Sequence, residues 1–217
     1  MTDFASRRTM MVDTQVRPSD VTKFPIIDAM LHVPREDFVP AAKREAAYMG
    51  ENIELGGGRM VLEPRTLAKM LDALNIERHE LVLDIGAAYG YSSAVVARMA
   101  EAVIAVEEDE TMAAEATEAL SAEGADNVVV HVGPLGVGAP EHGPYDVVMI
   151  EGGVAQVPDE LLAQVKEGGR IAALFMQGAL GEMRIGYKHG GKISWRMAFN
   201  AGAGVLPGFA RDHAFAL

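Results

Sequence analysis

The sequence predicts a doubly wound α/β fold with a mostly parallel sheet, an N-terminal helical cap and an antiparallel C-terminal hairpin. Three observations predict it. Short apolar runs alternate with helical stretches between residues 64 and 176. A turn bracketed by Gly86 and Gly90 follows the first of those runs and opens a helix. The pair Gly190-Gly191 separates two final strand-like runs.

The elements follow in chain order. Residues 1–63 read as helices broken by prolines. Ile26, Ile27, Met30 and Val33 recur at helical spacing, and Pro34 stops that helix. Residues 41–48 make a second short helix. Residues 51–64 read as a loop holding Gly56-Gly57-Gly58. Leu67, Met70, Leu71 and Leu74 form an apolar helical stripe. Strands are expected at 81–85, 102–106, 127–132, 145–150 and 170–175, with helices at 92–99 and 111–123. Pro158 before Asp159 and Glu160 marks a further helix start. This alternation gives a parallel sheet covered on both faces. Residues 183–188 and 192–199 form a hairpin added to the sheet edge, with Trp195 half-buried in it. We read a single domain over 1–217: cap and loop at 1–63, ligand-binding core at 64–176, hairpin at 177–217.

The chain has 217 residues, 49% hydrophobic and 23% charged, which suits a globular domain and not a disordered one. A net charge of −12 repels phosphate backbones, so nucleic acid is not an expected partner. There are no cysteines, which excludes disulfides, thiolate catalysis and Cys-ligated metals, and fits a reducing compartment. The N-terminal stretch lacks the apolar core of a secretory signal, and no apolar run reaches membrane-spanning length. Cytoplasmic residence without membrane contact is therefore expected. The oligomeric state is not readable, although the hairpin offers an edge that could pair.

The chemistry concentrates at residues 84–91, Asp-Ile-Gly-Ala-Ala-Tyr-Gly-Tyr. Small residues at Gly86, Ala87, Ala88 and Gly90 let a ligand approach the backbone. Glu107 ends the next strand, where a carboxylate accepts hydrogen bonds from ribose hydroxyls. Two plainer readings stand beside this one. The glycines could serve only a tight turn, and Glu107 could be a solvated strand end leading into Glu108, Asp109 and Glu110. Dinucleotide binding is a rival, but Ala88 and Ser92 occupy positions where such enzymes place glycine. The continuation through Gly90-Tyr91 is more similar to methyltransferases.

Several segments resemble the protein-L-isoaspartate O-methyltransferase family, across nearly the whole length. They are residues 11–18 with their Arg-Pro stop, MLHVPREDFVP at 30–40, Ala47-Tyr48, the turn at 82–97, Val106-Glu107, and LLAQVKEGGR at 161–170. VPREDFVP is the most diagnostic, because other methyltransferases of Rossmann-like fold lack it. The resemblance implies the Rossmann-like S-adenosylmethionine-dependent methyltransferase fold. It implies methyl transfer from S-adenosylmethionine to an isoaspartyl carboxylate in damaged proteins or peptides. The ester then collapses to a succinimide. It implies a cofactor site at Asp84, Gly86, Ala87, Ala88, Gly90, Tyr91, Glu107 and Gly133. No metal is implied, and His32, His131 and His142 show no paired spacing. Alignment and desolvation supply most of such a reaction.

The chain departs from the family pattern where the acceptor would bind. A family loop resembling Gly-Gln-Thr-Ile-Ser-Gln-Pro becomes Gly58-Arg59-Met60-Val61-Leu62-Glu63-Pro64. Arg59, Met60, Leu62 and Glu63 are the candidate acceptor-loop residues. Met60 and Leu62 replace both hydroxyls. A Glu63 carboxylate ~4 Å from an acceptor carboxylate would cost on the order of 4 kcal/mol at an effective dielectric of about 20, unless Arg59 or Arg65 neutralised it. Ala88 replaces a glycine, Pro134 an aspartate, and Glu151-Gly152-Gly153 a Gly-Ala-Ala. Glu151 reads as a solvated loop residue, or else as a carboxylate at the pocket mouth. Arg17 and Arg35 are expected to pair with local acids. Three hypotheses remain at this point: isoaspartyl methylation, methylation of another acceptor on the same fold, and a catalytically silent binding or scaffold protein.

Overall fold

In the computed structural model, which describes residues 3–211, the β-branched runs of the sequence lie side by side in the middle of one sheet. The cap comes first: α1 (Phe4–Met11), a π-helical turn at Val12–Val16, and α2 (Phe24–His32). Arg35–Phe38 and Ala41–Ala46 are 3₁₀ turns, so the second cap helix expected at 41–48 takes the tighter form. The supposed loop at 51–64 is a small antiparallel hairpin, β1 (Ile53–Gly56) with β2 (Arg59–Val61). The glycine run is its turn, with Gly57 and Gly58 both at positive φ. Helix α3 (Pro64–Leu74) follows, and buries the stripe Leu67, Met70, Leu71 and Leu74.

The core elements are β3 (Leu81–Ile85), α4 (Tyr91–Ala97), β4 (Ala102–Glu107), α5 (Glu110–Glu123), β5 (Val128–Val132), β6 (Tyr145–Val154), α6 (Asp159–Ala163), β7 (Val165–Gln177), β8 (Leu180–His189) and β9 (Lys192–Ala201). The sheet order is β5-β4-β3-β6-β7-β8-β9, parallel as far as β7 and antiparallel beyond it. The chain runs outward from β3 to β5, then returns to pair β6 with the other side of β3. That reversal opens a crevice at the carboxyl ends of β3 and β6, the usual place for a ligand in such sheets.

Strand β6 runs four residues past the expected end at Ile150. Met149 pairs with Ala172 and Gly153 with Leu174, so β6 bulges by two residues around Glu151-Gly152. Bulges of this kind re-aim side chains beside functional sites. One hydrophobic core lies between the sheet and the cap with α3, α4 and α5. The opposite core is thinner, and Leu206 and Phe209 from the chain after β9 complete it. Among the described residues, no helix is long and apolar enough to cross a membrane.

Arg35 ties the cap to the hairpin. It is fully buried, and forms no ion pair with an acid among the described residues. Its Nε donates to the Ala47 carbonyl at 2.7 Å and its Nη2 to the Leu62 carbonyl at 2.7 Å. Its guanidinium lies 4.7 Å over the Tyr91 ring, which Phe38 meets edge-on. Arg17, by contrast, does pair with Asp13. Lysine retains the charge but cannot span two carbonyls with a planar fork. We expect Arg35→Lys to lower unfolding free energy by about 2–4 kcal/mol in urea titrations. A loss under about 0.5 kcal/mol would show that Arg35 is not the tie.

Candidate active site

The glycine turn closes on the end of β4. Gly86 and Ala87 donate their N–H groups to the Val106 carbonyl at 2.9 and 3.2 Å, and Gly90 donates to Ala87 at 2.7 Å. Gly86 and Gly90 hold φ of +79° and +90°. Ala88 also sits in the left-handed region, at φ +49°, a conformation that costs a non-glycine residue about 1–2 kcal/mol. Below the turn, Asp84 is buried. Its Oδ2 accepts from the Ser92 and Ser93 hydroxyls at 2.7 and 2.6 Å. Its Oδ1 has no hydrogen-bond partner among the described residues. Burial pushes Asp84 up to about 6, against the two serine hydrogen bonds and with the help of the Glu107 charge.

Glu107 ends β4 at 0% exposure. Arg59 Nε donates to both its oxygens at 2.9 and 3.1 Å. The backbone N–H groups of Ala88, Glu108 and Asp109 donate at 3.0, 2.8 and 2.9 Å. Glu107 is therefore no solvated strand end. Arg59 pairs with Glu107 and not with Glu63. Glu63 accepts from the Thr66 hydroxyl at 2.6 Å and lies 3.7 Å from Arg65. Met60 and Leu62 point into the core, and a methyl at Gly204 would lie 3.1 Å from Met60 Cε. Gly133 donates its N–H to the Glu107 carbonyl at 3.1 Å, directly before Pro134.

Glu151 corrects the sequence reading most. It is no solvated loop residue but sits inside the β6 bulge at 3% exposure, with Oε1 unpartnered among the described residues. Desolvation raises its carboxyl well above the ordinary range. The neighbouring Asp84 adds to the rise, and Arg35 opposes it. The crevice thus brings together Asp84, Gly86, Ala88, Glu107, Arg59 and Glu151. Clefts of about 390 and 360 Å³ open elsewhere, one against Phe38 and Glu115, the other against Met49 and Ile53. Sequence spacing also missed a surface cluster. The potential ligand atoms of His131, Glu141 and His142 lie within 4.8 Å of one another, a set that could hold a divalent metal ion.

Comparison with known proteins decides the family. The family model of protein-L-isoaspartate(D-aspartate) O-methyltransferase matches residues 7–195. The chain belongs to the protein-L-isoaspartate O-methyltransferase family. It is 33% identical to protein-L-isoaspartate O-methyltransferase 1 of Syntrophobacter fumaroxidans, over 79% of this chain and 80% of that one. It is 35% identical to protein-L-isoaspartate O-methyltransferase 2 of Pelobacter propionicus, over 83% and 82%. In fold it is similar to a solved protein-L-isoaspartate O-methyltransferase, with TM-score 0.80, 23% identity, and coverage of 93% of this chain and 66% of that one. A Plasmodium falciparum protein solved with S-adenosyl-L-homocysteine gives TM-score 0.79 at 17% identity, covering 95% and 99%.

The donor set suits an S-adenosyl cofactor. Glu107 suits vicinal hydroxyls, and the unpartnered oxygens of Asp84 and Glu151 suit an ammonium group. The space between them is taken by the chain's own Arg59 and Leu206.

The raised Glu151 carboxyl sets a sign for pH dependence. A carboxyl that keeps its proton only when folded contributes stability below its ordinary value of 4.5, and that contribution is lost as the pH rises towards the folded value. Glu151→Gln holds the same shape and cannot ionise. Measured by unfolding titrations, the variant should gain stability relative to the parent as the pH rises above the ordinary carboxyl value of 4.5. A difference that stays flat with pH would refute the buried, protonated state.

Proposed function

We propose that this chain is an S-adenosylmethionine-dependent O-methyltransferase acting on isoaspartyl carboxylates of damaged proteins, as a single cytoplasmic domain. The observation that carries the reading is Glu107, a carboxylate at the end of β4 beside a glycine turn, in a chain of this family. When bound, the cofactor supplies a methyl group on a positively charged sulfur. The chain's own residues then have three tasks. Glu107 holds ribose hydroxyls. Asp84 and Glu151 receive the amino group. The turn at Gly86, Ala87, Ala88, Gly90 and Tyr91, with Gly133 beside it, lets the ligand lie against the backbone. The acceptor is already an ionised carboxylate, so no general base is required. Exclusion of water and alignment of carboxylate and methyl carry the rate.

A second reading is favoured by one observation. Met60 and Leu62 are buried and cannot donate to a carboxylate, so this chain lacks the two hydroxyls of the family loop, and another acceptor is the alternative. Incubation with labelled S-adenosylmethionine and paired isoaspartyl and aspartyl peptides separates the two. We expect base-labile methyl ester on the isoaspartyl peptide at least about tenfold above the aspartyl control, the equivalent of about 1.4 kcal/mol of discrimination. Equal, background-level labelling of both peptides would reject the isoaspartyl assignment.

A further inference from the structure

The segment after β9 turns back across the carboxyl edge of the sheet. Gly153 N–H donates to the Gly204 carbonyl at 2.8 Å, and Leu206 N–H to the Gly153 carbonyl at 2.9 Å. Ala155 and Gln156 donate to the Phe209 carbonyl at 2.9 and 3.3 Å. Val205 thereby forms a parallel bridge with Gly153. The segment delivers Leu206 into the crevice between β3 and β6. A methyl at Gly86 would lie 3.2 Å from Leu206 Cδ1, and one at Gly152 would lie 2.6 Å from its Cγ. Only bare backbone at both positions lets Leu206 seat there.

The β1–β2 hairpin closes the other half. Arg59 covers Glu107, whose oxygens already take three backbone N–H groups. A carboxylate has about four acceptor sites and the backbone fills three, so a ribose hydroxyl can enter only when the Arg59 side chain leaves. The two halves touch each other. Asn52 Nδ2 donates to the Gly202 carbonyl at 2.8 Å, and a methyl at Gly58 would lie 3.1 Å from Pro207 Cδ.

The closed crevice is mismatched to its filler. Leu206 packs on the residues next to Glu151 and two from Asp84, and each of those carboxylates keeps one buried oxygen unpartnered among the described residues. An apolar side chain cannot satisfy them, whereas a ligand carrying an ammonium and hydroxyls can. We propose that Arg59 and the segment from Gly202 to Phe209 form a two-part latch that holds the cofactor cleft shut, so that cofactor binding requires their release. The latch rests on the cofactor assignment made above. It makes the apparent affinity the intrinsic affinity scaled down by the fraction of molecules that are open.

Titration calorimetry with S-adenosylhomocysteine on the full-length parent, Arg59→Gln, Leu206→Gly and the double variant tests this. Circular dichroism confirms that each is folded. Each single change should lower Kd about tenfold, and the double change should lower it further. Amide exchange on the parent needs no variant. Gly153, Ala155 and Leu206 amides, protected by the latch, should exchange faster once ligand is added. If the parent binds with a Kd unaltered by either change, and its three amides stay protected, the latch is wrong and the cofactor assignment stands. If neither the parent nor the double variant binds, the cofactor assignment fails and the latch with it. Binding confined to the variants supports the latch.

Discussion

A carboxylate with no contact with water at the end of β4 governs the arrangement around it. A buried carboxylate needs hydrogen-bond donors, and the fold supplies them to Glu107 from three places. The glycine turn contributes the Ala88 N–H, the start of the next connection contributes Glu108 and Asp109, and the hairpin contributes Arg59. The left-handed Ala88 follows from this demand. Its N–H must reach Glu107, and the strain of φ +49° is the cost of aiming it. The position of β2 follows as well, because Arg59 reaches Glu107 only when the hairpin lies over the crevice.

The segment that marks the family most clearly is structural support for this centre. Arg35 and Phe38 of VPREDFVP both pack on Tyr91, the first residue of α4 after the glycine turn. Arg35 also carries the Leu62 carbonyl, and so fixes the far end of the loop that begins at Arg59. Around the same pair, Tyr48 donates to Glu36, and Arg8 reaches both Tyr48 Oη at 2.9 Å and Glu36 at 3.2 Å. The cap is thus a polar clamp on an otherwise apolar core. Truncating any partner would strand a buried charge or hydroxyl.

What the sequence made legible was local. Strand β3 at 81–85, the glycine turn, the carboxylate ending β4 and the hairpin about Gly190-Gly191 each carry their signal within a few residues. The misses are long-range or irregular. Arg59 and Glu107 lie 48 residues apart, and no periodicity links them. Arg59, the one basic residue in the stretch 51–64, was the available hint. Glu151-Gly152-Gly153 has the composition of a loop, yet a bulge carries it through the sheet, because parallel pairing resumes at Gly153 with Leu174. Residues 202–209 show neither a helical nor a strand period, so nothing announced Leu206 and Phe209 as core.

These misses share a location and a physical cause. Each lies at the carboxyl edge of the sheet, where the strand order reverses and the fold leaves a crevice lined by polar as well as apolar residues. Asp84 and Glu151 show the tension most directly. Two neighbouring acids in the interior cannot both ionise without a cation between them, and Arg35, already committed to two carbonyls, only partly offsets the rise at Glu151. A core built for stability alone would replace them with apolar residues of similar volume. Their presence beneath a leucine fits the proposed exchange of that leucine for a charged guest.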